Sequence, residues 1–144
     1  MKISSRGRYG IILLVDLAEN REKPHVPLAN IAERKKVSVR YLEQVALILR
    51  QAGLIRSVKG ASGGYTLAKP SEDITIGNAL RVLEGDMLVV DPPLPGVRET
   101  KLRRCIRAAV YKRLNDRVAA FIDHETLASL TGTGDSGGGY MYFI

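Results

Sequence analysis

Arg40 and Gln44 stand one helical turn apart, and these are the side-chain types that read guanine and adenine edges bidentately in a DNA major groove. Tyr41 lies between them and Ser38 just ahead. Their stretch, Val37 to Arg50, reads as an amphipathic helix because Leu42, Val45, Ala46 and Leu49 recur at i, i+3, i+4 and i+7. That stripe points inward, so Val39, Arg40, Glu43, Gln44 and Arg50 point away. Ser38 suits an N-cap, and Val37 with Leu42 has the spacing of a hydrophobic staple. A face that only meets water is the other reading of the same polar residues.

A second set of basic residues lies around Lys59-Gly60-Ala61-Ser62-Gly63-Gly64, between the strand-like runs Leu54 to Val58 and Tyr65 to Ala68. This pattern predicts a hairpin wing. Three glycines in six residues permit positive φ and close backbone approach, so the loop is either a plain turn or a tip that enters a groove. Arg56 and Lys59 favour the groove. Arg6, Arg8 and Tyr9 fall on the first turn of an N-terminal helix, where free N–H groups and basic side chains can hold a phosphate, mere solvation of the two arginines being the other reading.

Chemistry of other kinds is poorly supplied. The single cysteine, Cys105, excludes an intrachain disulfide framework and cannot by itself hold zinc or an iron-sulfur centre. His25 has no second ligand at metal-binding spacing and reads as ordinary surface. His124 lies 19 residues beyond Cys105 on the same predicted helix. At roughly 28 Å along the axis the pair can meet only across a dimer. The expectation is therefore no enzyme, no metal and no cofactor.

The elements that must position these residues follow from the pattern. A first helix runs from Ser4 or Ser5, as cap, to Glu19, burying Ile11, Leu14, Val15, Leu17 and Ala18. A loop to Pro27 precedes a short helix from Leu28 to about Lys36, with Leu28, Ile31 and Ala32 inward and Glu33 to Lys36 outward. Only Lys36-Val37-Ser38 separates it from the reading helix, which is a helix-turn-helix signature. After the wing, Thr75 caps and Gly85 stops a helix in the segment 74–85. Asp86 to Val97 reads as an irregular linker. Glu99 to His124 then carries apolar residues at 102, 106, 110, 114, 118 and 122. Such a helix, roughly 39 Å long, exceeds what a small domain covers, so Ile106, Val110, Leu114 and Val118 are expected to meet a second copy, packing on the chain's own domain alone being the other reading. The predicted fold is mainly α with a small β-hairpin wing: a winged helix-turn-helix domain (1–85), a linker (86–98), a dimerisation helix with a short following turn (99–130) and a glycine-rich tail (131–144).

Charge sharpens this division. Residues 1–70 carry 13 Lys or Arg against 5 Asp or Glu, whereas residues 71–144 carry 9 against 10, so the net +7 of the 144-residue chain lies on the first half. A basic module joined to a near-neutral one suits a polyanion-binding domain with an assembly arm, acidic lipid being the competing polyanion. The most apolar run, Tyr9 to Leu17, is far shorter than the roughly 20 residues of a membrane span. A cytoplasmic protein without membrane partners is expected.

Lys2-Ile3-Ser4-Ser5-Arg6-Gly7-Arg8-Tyr9-Gly10, Tyr41-Leu42-Glu43-Gln44, the wing from Leu54 to Tyr65, and Arg81-Val82-Leu83-Glu84-Gly85 together resemble the Rrf-two family of bacterial winged-helix regulators. The resemblance runs from residue 1 to about residue 130. It implies a homodimeric repressor that binds a palindromic duplex, with Tyr9, Ser38, Arg40, Tyr41, Gln44, Arg56, Lys59 and Gly60 facing DNA. Iron-sulfur members place three cysteines between the Leu-Glu-Gly segment and the long helix, and this chain has only Cys105. In that, and in its end Tyr140-Met141-Tyr142-Phe143-Ile144, it is similar to the family's cluster-free, CymR-type repressors of cysteine metabolism. The resemblance implies a receiver for Tyr142, Phe143 and Ile144, namely cysteine synthase. Folding of this peptide onto its own dimer is the competing reading. A winged-helix adaptor that binds only protein, and a repressor that senses oxidants through Cys105, are the functional alternatives.

Overall fold

The computed structural model describes residues 1–131, so Tyr142, Phe143 and Ile144 lie outside the described residues. Helix α1 (Ser5–Glu19) starts where Ser4 caps the Gly7 N–H. A second acceptor meets it there. Glu84 Oε1 accepts from the Ser4 N–H (3.0 Å), the Ser4 hydroxyl (2.5 Å) and the Gly7 N–H (3.0 Å). The chain's own carboxylate therefore meets the Ser4 and Gly7 N–H groups at the α1 N-terminus, a favourable place for negative charge. Leu13, Leu14, Leu17 and Ala18 are buried, while Ile11 and Val15 are only half-buried. The inward face is rotated toward Leu13 because α1 lies between neighbours on several sides.

Helix α2 (Leu28–Lys35) ends at Lys36, whose φ of +55° lets the Val37 N–H reach back to the Ala32 carbonyl at 3.0 Å. This tight turn delivers α3 (Val39–Gln51), with Leu42, Val45, Ala46 and Leu49 all buried as the period predicts. Arg34 does not point to water as expected. Its guanidinium reaches the fully buried carboxylate of Asp16 on α1 through Nη2 (2.6 Å) and Nε (3.2 Å). Asn20 Nδ2 bonds the same carboxylate at 3.2 Å, and Lys35 Nζ stands 3.9 Å away. A buried charge needs such company, so this cluster fixes α1 against α2.

The wing consists of β1 (Ile55–Val58) and β2 (Gly64–Leu67), antiparallel with Arg56 opposite Thr66 and Val58 opposite Gly64. The segment before α2 is not all loop, because Val26 exchanges both backbone hydrogen bonds with Tyr65, at 2.8 and 2.9 Å. A Cβ on Gly64 would run into the Val26 backbone, so this close approach requires glycine.

Helix α4 (Ile76–Glu84) opens with a Thr75/Asn78 capping box and closes at Gly85, φ +85°. The arm runs without a break through α5 (Lys101–Ile106), a π turn (Arg107–Tyr111) and α6 (Lys112–His124). Ile122 packs with Leu80 and Met87, and Arg81 binds Asp123 bidentately at 2.5 and 3.0 Å. Beyond it, residues 125 to 127 pair with 74 to 76 before α7 (Leu127–Leu130). Leu127 is fully buried. The linker is irregular but anchored: the Asn115 side chain accepts from the Val89 and Val90 N–H groups and donates to the Val90 carbonyl.

Candidate nucleic-acid interface

The outer face of α3 carries Arg40 and Gln44, both exposed. Their side chains have no hydrogen bond or ion pair among the described residues. Ser38 is exposed, but its hydroxyl accepts the Tyr41 N–H at 3.3 Å and so serves the helix as its cap. Tyr41 and Tyr9 are half-buried, their rings edge to face with centroids 4.8 Å apart. They join the first turns of α1 and α3 beside the exposed Arg40 and Gln44.

At the wing tip Lys59 and Gly60 are exposed, and Gly60 adopts φ +129°. The Gly63 N–H closes the tip on the Gly60 carbonyl at 3.0 Å. His25, expected as plain surface, is half-buried, and its Nε2–H donates to the Ser62 carbonyl, tying the tip to the segment before α2. Arg56 stands lower, at the base of the wing. It shares an open groove with Lys69 and with Arg21, which is itself held by Glu72 and Ser71. The structure thus brings Ser38, Arg40, Tyr41 and Gln44 together with Tyr9 and sets Lys59 and Gly60 on the hairpin tip. Arg56 belongs to a different surface of the hairpin.

On the arm, Leu102, Val110, Leu114 and Phe121 are 68, 46, 43 and 66 % exposed, while Ile106 and Val118 are half-buried. The charge split by halves concealed a local feature here. Residues 98–117 hold eight Lys or Arg and two Asp or Glu. Arg107 is bound to Glu99 and Lys112 to Asp116, whereas Arg113 and Arg117 flank the stripe without partners among the described residues. Arg107, through its hydrogen bonds, holds the Glu99 carboxyl below the usual carboxylate range. Counting charge in short windows would have exposed this run; Asp16 had no comparable signal, being one acidic residue in an apolar helix.

Two helices with a tight turn, an unpaired polar face on the second and a β-hairpin after it define a winged helix-turn-helix protein. Residues 3–133 match the family described as Rrf2, iron-dependent transcriptional regulator, and the chain belongs to that family. It is 35 % identical over 145 residues to the HTH-type transcriptional regulator CymR of Bacillus subtilis (strain 168), covering all of both chains. It is also 35 % identical over 130 residues to IscR of Escherichia coli (strain K12 / DH10B), covering 90 % of this chain and 80 % of that one. The solved structure of CymR, the global cysteine regulator of B. subtilis, aligns with a TM-score of 0.77 at 37 % identity over 89 % of this chain and 94 % of that chain. IscR of T. potens aligns at 0.71 and 36 % identity, covering 89 % and 84 %.

The family is described as iron-dependent, and an iron-sulfur centre makes specific demands on its donors. A cluster is held by several thiolates, and this chain has one cysteine, exposed on α5. Among the described residues no group of three or more His, Cys, Asp or Glu is placed to hold a metal. The donor set does not fit an iron-sulfur centre. No helix among the described residues is long and apolar enough to cross a membrane.

Proposed function

We propose that this chain is a homodimeric, sequence-specific DNA-binding repressor of sulfur and cysteine metabolism genes that works without an iron-sulfur cluster. The observation that carries the reading is a division among its cations. Arg34, Arg21 and Arg81 are held in ion pairs within the fold, whereas Arg40 and Lys59 project unpaired with Gln44 from α3 and the wing tip. In this reading Arg40 and Gln44 meet base edges, Lys59 and Gly60 follow the adjacent backbone, and Tyr9, Tyr41 and Ser38 aim the helix. Arg56 adds a phosphate contact at the base of the wing. Ile106, Val110, Leu114 and Val118 seal two arms together and so set the spacing of two half-sites. The metabolic assignment rests on the likeness to CymR, the global cysteine regulator of B. subtilis.

Selection of bound duplexes from a random pool, followed by anisotropy titration, tests the DNA reading. The expected site is a palindrome with half-sites about one helical turn apart, and affinity should fall steeply with salt. Arg40→Ala or Gln44→Ala should cost about 1–3 kcal/mol and relax base preference, while Lys59→Ala should weaken all sequences alike. Indistinguishable behaviour of the two classes would refute the division of roles. The same proposal assigns Tyr142, Phe143 and Ile144 to docking on cysteine synthase, with Ile144 as anchor. Calorimetry of the synthase against the full chain and an Ile144 deletion decides this, equal affinity counting against it.

A further inference from the structure

Between the linker and the arm lies a cleft that DNA reading does not use. Two adjoining cavities, of about 240 and 340 Å³, share Val90, Asp91, Pro93, Arg107 and Tyr111. The cleft opens beside the π turn Arg107–Tyr111, whose first and last residues both line it. Such widened turns inside a helix occur frequently at functional sites.

The charges around the smaller cavity are two carboxylates, Asp91 and Glu99, and two guanidiniums, Arg103 and Arg107. Glu99 and Arg107 satisfy each other, with Nε at 3.1 Å from both carboxylate oxygens and Nη2 at 2.6 Å from one. That leaves Asp91 and Arg103. They line the same cavity, and neither side chain makes a hydrogen bond or close ion pair among the described residues, Arg103 acting on the Glu99 carboxylate only at longer range. An unpaired anion and an unpaired cation separated by an open cavity are complementary to a ligand that carries both charges. The remaining walls, Val90, Pro93, Ile106 and the Tyr111 ring, are apolar, and the second cavity continues past Leu88 and Pro92. A site with a few convergent polar groups on an apolar lining has the composition of a small-molecule pocket.

We propose that this cleft binds a small zwitterion of the amino-acid class, its ammonium on Asp91, its carboxylate on Arg103 and its side chain among Val90, Pro93 and Tyr111. Its position gives the ligand leverage. The linker wall is held to α6 by Asn115 and leads to Met87, which packs between Leu80 of α4 and Ile122 of α6. A ligand bridging linker and arm therefore bears on the connection between the DNA-binding elements and the arm. The regulatory consequence rests on the DNA-binding reading above; the binding does not.

The test is thermal melting and calorimetry of the full chain with L-serine, L-cysteine, L-methionine and L-leucine, alongside isocaproate and isopentylamine, which keep one charge of leucine each. At least one amino acid should raise the melting midpoint saturably, and the single-charge analogues should bind roughly tenfold more weakly or worse. Asp91→Asn and Arg103→Gln should lose that binding. Both positions are exposed, and unchanged circular dichroism will show that the variants fold. Absence of a saturable shift with all four amino acids overturns the proposal, as does equal binding of isocaproate or wild-type binding by both variants. Operator titration separates the two readings. An amino acid that binds a chain with no specific DNA affinity would reject the repressor and leave the cleft standing.

Discussion

Tyr9 and Tyr41 meet edge to face, with ring centroids 4.8 Å apart and planes at 76°. The contact joins the N-terminal turns of α1 and α3, so packing two residues away from Val39 helps to set the orientation of α3. Such a pair contributes about 0.5–1.5 kcal/mol beyond the area it buries. Tyr41→Phe should keep the pair and nearly all stability, whereas Tyr41→Ala should lower both the urea midpoint and operator affinity. Equal DNA affinity for wild type and Tyr41→Ala would remove the tyrosines from the aiming role.

The Asp16 carboxylate depends on Arg34 in a similar structural sense. Removing one partner of a fully buried ion pair costs about 3–5 kcal/mol, and the partial exposure of Arg34 softens this. Arg34→Ala should therefore cost about 2–3 kcal/mol, because Asn20 and Lys35 still face the carboxylate. Asp16→Asn combined with Arg34→Ala should recover part of the loss. Chemical denaturation of the four proteins in the cycle measures it, and a loss under about 0.5 kcal/mol for Arg34→Ala would contradict the assignment.

Glu84 makes stability depend on acid. Hydrogen bonds from the Ser4 hydroxyl, and then from the Ser4 and Gly7 N–H groups, hold its carboxyl below the ordinary carboxylate range. A depressed folded-state value means the contribution is present in full above the ordinary range and disappears as pH falls through the folded value. Wild type should thus lose more stability between pH 6 and pH 3 than Glu84→Gln does, each measured by its urea midpoint. Parallel curves for the two proteins would show that Glu84 is not a source of the acid sensitivity.

What was legible in the sequence was what repeats. The α3 stripe, the Ser38 and Thr75 caps and the Gly85 stop are local patterns, and each stands where the period places it. What stayed hidden joins residues far apart in the chain. Val26 pairs with Tyr65 as a single bridge, too short to leave a strand signature. Asp16 and Arg34 are 18 positions apart, and Glu84 meets Ser4 across 80, so neither pair announces itself by spacing. The π turn within the arm also lacks a composition of its own. On α3, the exposure of Arg40 and Gln44 was readable from helix phase. The placement of Arg56 beside Lys69 and Arg21 needed the hairpin register.

The arm yields the last prediction. Leu102, Val110, Leu114 and Phe121 leave large apolar surfaces uncovered on one helix, and contiguous patches of that kind mark interaction sites. A second copy of the same helix offers a matching stripe, and a two-fold contact presents every residue twice. Arg113 and Arg117 flank the stripe, so paired arms would hold these cations at the rim, where water screens them. Val110→Asp and Leu114→Glu alter positions already 46 and 43 % exposed, which makes their cost to the isolated fold small, within about 0.5 kcal/mol. In a dimer paired through this stripe, each substitution would bury two charges. Sedimentation velocity should show wild type as a dimer and both variants as folded monomers with unchanged far-ultraviolet circular dichroism. Operator affinity of the variants should fall by about a hundredfold or more, since one half-site no longer holds the other protomer nearby. Variants that remain dimeric would place the interface elsewhere. Variants that unfold would show that the stripe belongs to the chain's own core, and a wild type that sediments as a monomer at micromolar concentration would end the dimer reading altogether.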